Sequence, residues 1–112
     1  MSAAPRLAAG FWVRAYLARL RLADIPAFVV AKGDEQAGAV LIKVNTLDGQ
    51  AAAYQRIMAM DGSRPWDVLA QGDDAEVEAA LTRQRGYDRD LWLIEGEDRA
   101  GRHLLDEPGL AD

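Results

Sequence analysis

Between Val40 and Met60 the sequence alternates about a single Asp48-Gly49 pair, and this pattern commits the chain to a fold containing a sheet. Val40, Ile42 and Val44 face one way while Lys43 and Asn45 face the other, which is the period-two signature of a strand. An Asp-Gly pair supplies the positive-φ backbone that a tight hairpin turn needs. It therefore joins Ala39–Asn45 antiparallel to a second strand over Gln50–Met60. There Tyr54, Arg56, Met58 and Met60 alternate with Gln55, Ile57 and Ala59. The alanines of that segment would suit a helix, but the glycine turns at both ends favour a strand.

The flanking elements follow from local signals. Ala- and Leu-rich residues from about Arg6 to Ala23 read as a helix started by Pro5 and stopped by Asp24 and Pro26. Gly10 weakens its first turn, so stable helix is expected from near Phe11. Ala27–Lys32 is a short β-prone run. A further strand is expected over Trp66–Gln71, where Pro65 suits a strand start or edge. Asp73 and Glu76 form an acidic variant of the capping box ahead of a helix to about Arg85, with Gly86 as its C-cap. Leu91–Glu95 is apolar on both faces and so belongs in the middle of a sheet. Asp98-Arg99-Ala100-Gly101 fits a type I turn with Gly101 left-handed, returning the chain into a last strand over Arg102–Leu105. The expected order is α-β-β-β-β-α-β-β. This is an α+β domain whose mostly antiparallel sheet of five to six strands carries both helices on one face. Residues 1–5 and 106–112 are expected to be loose.

Composition removes several chemistries. The chain of 112 residues is one domain in size and contains no cysteine, which excludes thiol catalysis, Cys-ligated metals and disulfides. No uncharged run approaches the roughly twenty residues a membrane span needs, and arginines interrupt the apolar N-terminus, so neither a span nor a secretory signal is expected. A cytoplasmic location is. Residues 1–43 carry six basic and three acidic side chains, whereas residues 44–112 carry seven and fifteen. Only the N-terminal helix could offer a small basic stripe, so nucleic-acid binding is not expected. The asymmetry points instead to surfaces that complement one another, or to a basic partner.

Three stretches together resemble the domain of unknown function 1491 family of small bacterial proteins. They are Arg6-Leu7, Gly10, Trp12-Val13 and Ala15-Tyr16-Leu17; then Gly33-Asp34, Ala37 to Leu41, Lys43-Val44-Asn45 and Leu47-Asp48-Gly49; then Arg83-Gln84, Tyr87-Asp88, Asp90-Leu91-Trp92, Glu95, Glu97-Asp98 and Gly101-Arg102-His103. The resemblance covers nearly the whole chain. It implies no activity, cofactor or catalytic residue, so none is carried over.

Two constellations stand out as candidate sites. Trp12, Tyr16 and Arg19, spaced i, i+4 and i+7, lie within about 60° of one another on a helix. They could hold a guanidinium against aromatic walls to receive a carboxylate or phosphate. Alternatively, Arg19 stacks on Trp12, or pairs with one of the many acidic residues downstream. Glu95, Glu97 and His103 would converge across the last hairpin, as a metal site or as a general base with a carboxylate orienter. Plain cross-strand charge pairing is the other reading. With a lone histidine, no metal and no cofactor is expected. Nucleophiles are scarce. Ser2, Ser63, Thr46 and Thr82 sit in no nucleophile elbow, and Gly33–Gly38 lacks the glycine spacing and lysine of a phosphate-binding loop.

Two kinds of function remain. One is a non-enzymatic binding or adaptor domain, with Tyr54 and Trp66 as interaction candidates, or with a sheet edge over Ala27–Lys32 or Trp66–Gln71 open to another protein or a second copy. The other is a small-molecule-binding protein or hydrolase using Arg19 or the Glu95/Glu97/His103 hairpin.

Overall fold

The computed structural model of this chain describes residues 7–112. The expected loose segment 1–5, the helix start at Arg6 behind Pro5 and the placement of Ser2 lie outside the described residues. Seven elements follow in order: α1 (Ala9–Leu22), β1 (Ala27–Ala31), β2 (Val40–Asn45), β3 (Gln50–Arg56), β4 (Trp66–Asp73), α2 (Asp74–Tyr87) and β5 (Trp92–Glu97). The strands form one sheet in the order β1-β5-β2-β3-β4. All neighbours are antiparallel except β2 and β5, so the domain is α+β with a mostly antiparallel sheet.

The Asp48-Gly49 hairpin forms, with Gly49 at φ +88° and Val44 set opposite Ala52. β3 stops at Arg56, and beyond it Ile57 N–H and Ala59 N–H reach Pro65 O and Ser63 O in an irregular hairpin end. α1 begins at Ala9 and includes Gly10. Its first N–H groups, which no helix can satisfy internally, donate to the 33–38 loop: Ala9 to Gln36 O and Gly10 to Glu35 O. A Cβ on Gly10 would overlap the Glu35 carboxylate, and one on Gly33 or Gly38 would overlap the backbone at Asp90. Gly33 and Gly38 thus permit close backbone approach between the connecting loop and the chain ahead of β5, whereas at Gly10 only the movable end of the Glu35 side chain is met. The expected cap box on α2 is absent, because Asp73 accepts from Gln50 Nε2 instead of capping the helix.

The two helices lie on opposite faces of the sheet, where the sequence reading places both on one. β2 explains the difference, because it is buried on both sides. Ile42 and Val44 join Trp12, Val13, Tyr16 and Leu20 of α1 in one core, while Leu41 joins Val77 and Leu81 of α2 in the other. β5 behaves likewise, with Trp92 and Ile94 under α1 and Leu93 under α2. α2 is the crossover that carries the chain from β4 at one edge to β5 beside β2, covering the second face on the way.

That insertion also removes the last expected strand. Both edges of β5 are taken, by β1 and by β2, so Arg102–Leu105 has nothing to pair with and forms no strand. The turn before it does form. Gly101 N–H donates to Asp98 O, Gly101 has φ +76°, and Arg102 folds back onto the Asp98 carboxylate. The chain then crosses the α1 face. Within this stretch Leu105 and Leu110 are buried in the α1 core.

Candidate functional site

The aromatic stripe on α1 is real, but it is filled from within. Trp12 and Tyr16 stack at 5.0 Å, and Tyr16 O–H donates to His103 O. Burial raises the phenol pKa of Tyr16 far above its usual value. Arg19 donates to Glu107 Oε1 at 2.8 Å and to Pro108 O, so its guanidinium is occupied by the chain's own C-terminal segment. Trp66 leans on Trp12 at 5.3 Å and gives its indole N–H to Leu110 O. The cation on the aromatic wall is Arg56, 4.5 Å from the Trp66 ring. Its guanidinium also donates to Arg64 O, Leu110 O and Ala111 O. Burial and the nearby Arg64 lower its pKa to about 10. Trp12, Tyr16, Arg19, Arg56 and Trp66 thus form a clasp that fixes residues 103–111. Arg56 was visible as an alternating residue of β3, but its aromatic neighbours come from two other elements, which no local pattern reports.

The proposed carboxylate–histidine hairpin does not come together. His103 packs on Tyr54 at 4.7 Å, and its Nδ1 accepts from Leu105 N–H. Tyr54 sits opposite Ile42, on the α1 face. Glu95 is on the α2 face, 3.7 Å from Lys43 Nζ, and Glu97 shares its strand parity. The sheet therefore separates Glu95 and Glu97 from His103. Among the described residues, no group of three His, Cys, Asp or Glu side chains could hold a metal ion. Near Tyr54 lies a depression of about 250 Å³ walled by Thr46, Gln50, Gln71 and Gly101, without a charged side chain.

Lys43, which the alternation turned away from Ile42 and Val44, is a buried charge on the α2 face. It is 2% exposed and meets Asp74 at 2.6 Å, Glu78 and Glu95. Burial disfavours the ammonium, but the carboxylates outweigh it and hold the pKa of Lys43 above its ordinary value. A lysine so held is charged and hydrogen-bonded at neutral pH, which makes it a structural cation rather than a nucleophile.

The open feature of the molecule is β1. It is a sheet edge, and Phe28, Val29 and Val30 in succession are 49%, 40% and 42% exposed. Glu97 N–H donates to Pro26 O, which makes that pair a hydrogen-bonded one. By the alternation of an antiparallel ladder, Ala27 and Val29 then turn their N–H and C=O groups away from β5. A bulge between Val29 and Ala31 ends the regular stretch. The strand holds no charge, and Lys32 follows it directly. At the opposite edge, β4 carries Asp67 and Asp73, side chains of the kind that discourage edge pairing. Ile57, Met58 and Met60 form a second exposed apolar group, at the tip of the β3–β4 hairpin. No helix among the described residues is long and apolar enough to cross a membrane.

Comparison with known proteins agrees with this architecture. A family described as protein of unknown function (DUF1491) matches residues 7–106. The crystal structure of a DUF1491 family protein from Caulobacter crescentus is similar at 37% identity and a TM-score of 0.84, over 92% of this chain and 98% of that one. An NMR structure of a DUF1491 family protein from Caulobacter crescentus is similar at 36% identity and TM-score 0.81, over 94% and 97%. The solution structure of a protein from A. tumefaciens is similar at 31% identity and TM-score 0.71, over 83% and 86%. No curated protein matches.

Proposed function

The chain belongs to the DUF1491 family, proteins of unknown function, and we propose that it is a non-enzymatic binding domain that receives an extended segment of a partner protein along β1. The observation that carries this reading is the ladder at Ala27 and Val29, unpaired among the described residues, in a strand with three successive exposed apolar side chains. An unpaired edge offers main-chain hydrogen bonds for affinity, and alternate side chains on its two faces offer specificity. Phe28 lies opposite Glu95 on the α2 face, and Val29 lies opposite Ile94 on the α1 face. An added strand would therefore find apolar contact on both sides. The reading includes a cytoplasmic setting and a protein rather than a nucleic-acid partner, supported by the absence of cysteine and the net charge of −5.

The test is site-specific photocrosslinking in the native host, with a photoreactive phenylalanine analogue at Phe28 and, as control, at Met60. One defined protein crosslinked from Phe28, absent from Met60 and lost when Val29→Lys places a charge on the edge, is the expected result. Crosslinks of the same pattern from both positions, or only to a second copy of the chain, would overturn the reading.

A further inference from the structure

At the Ala31 end of β1 a depression of about 320 Å³ opens between the strand and the last turn of α2. Ala31 and Leu91 line it, and Lys32, Arg85 and Arg89 stand around it with the Thr82 hydroxyl. Its single acidic wall residue is Asp88, whose Oδ1 already accepts from Asp90 N–H. Arg85 and Arg89 make no ion pair or side-chain hydrogen bond among the described residues. The ammonium of Lys32 comes only within 3.9 Å of Glu35. In a chain of net charge −5, this cavity is a local reversal of sign.

We infer that the cavity is an anchor for a carboxylate on the segment that pairs with β1, so that the partner is an acidic extended peptide. The inference rests on the edge reading above and names the chemistry of its occupant. Two features join the cavity to the edge. Ala31 belongs to both, and its register opposite Leu93 puts it on the α2 face, where the cavity opens. A guest residue directly across from Ala31 shares that face, because opposed residues in a sheet point the same way. An Asp or Glu there is directed toward the guanidinium groups, which match a carboxylate in a bidentate fork. In a guest antiparallel to β1 the acid lies toward its N-terminal end, and in a parallel guest toward its C-terminal end.

The experiment is selection from a displayed library of random octapeptides against the intact protein, followed by fluorescence titration of the selected sequences. Selected peptides are expected to carry an Asp or Glu at one end of an apolar, β-branched run. Arg85→Ala/Arg89→Ala should weaken binding roughly tenfold and flatten its salt dependence. Replacing the peptide's acid by its amide should cost a similar factor in the parent protein and little in the double variant. N-methylation of the peptide amides that face β1 should abolish binding in both. Peptides that need those amides but show no acidic preference overturn the anchor and leave the edge reading standing. Failure to select any peptide, or selection of peptides indifferent to N-methylation, overturns both. So does a free protein already dimeric through β1 by light scattering and amide exchange.

Discussion

Replacing Leu110 by alanine probes how firmly the C-terminal segment is built into the domain. Leu110 is 1% exposed in the α1 core, and its carbonyl accepts from Arg56 and from the Trp66 indole. The substitution removes three buried carbons, about 2.4 kcal/mol of transfer free energy at roughly 0.8 kcal/mol each. It also leaves a cavity, and Leu→Ala changes in closed cores cost about 2.7–5 kcal/mol. A segment that lies outside any helix or strand can partly collapse into the space, so the expected loss is about 3 kcal/mol. For a domain of this size that corresponds to a fall in Tm on the order of 12 °C. Urea and thermal unfolding followed by circular dichroism measure it directly. The exposed ion pair nearby supplies the contrast: Glu107→Gln breaks its bond to Arg19 and should cost no more than about 1 kcal/mol, diminishing in salt. A Leu110→Ala loss below about 0.5 kcal/mol would refute the reasoning, since it would mean that the tail does not bury that side chain in solution.

Lys43→Met should destabilise the protein by roughly 2 kcal/mol at pH 7, because it leaves Glu95 half-enclosed without its cation; Glu95→Gln in the same chain should recover part of the loss, which a double-mutant cycle in urea would show. Because the folded pKa of Lys43 is raised, its contribution is complete below about 10.4, its unfolded value, and is lost as pH climbs through the folded one, so parent and variant should converge in alkaline unfolding. The hydrogen bonds from Arg102 lower the pKa of Asp98. Its contribution is therefore present above the ordinary carboxylate range near 3.9 and is lost as pH falls through the folded pKa, so Asp98→Asn should flatten the acid limb of the stability curve. Gly10→Ala brings the new methyl only against the end of the exposed Glu35 side chain, which can swing aside, so the helix-propensity gain of up to about 1 kcal/mol should leave Tm unchanged or raised; a clear fall in Tm would show that the Glu35 side chain cannot give way.

The seven elements were all legible, because each depends on neighbours in sequence: the period of β2, the Asp48-Gly49 turn, and the Ala- and Leu-rich run of α1 ahead of Pro26. What escaped was the partnering of β5. Leu91-Trp92-Leu93-Ile94 announces a strand covered on both faces, yet nothing in it says that its neighbours are β1 and a parallel β2. Strand order is a long-range choice, and two expectations failed together on it: the common face for the helices and the final hairpin through His103. The site followed the same division. Arg19 and the α1 stripe were visible from helical spacing, but the acidic partner among the downstream carboxylates is Glu107, and Arg56 joins the clasp from β3. Conversely, the edge over Ala27–Lys32 could be named from sequence, since a five-residue apolar strand between a proline and a lysine has few places to go except an edge.

The most direct test of the account is amide hydrogen exchange at Ala27 and Val29, measured in the free protein and again with a bound extended segment. With β1 an open edge, both amides should exchange quickly in the free protein, while Phe28, bonded to β5, is slow, and both should become protected when the segment binds. Slow exchange at Ala27 and Val29 in the free protein, or fast exchange that binding leaves unchanged, would contradict it.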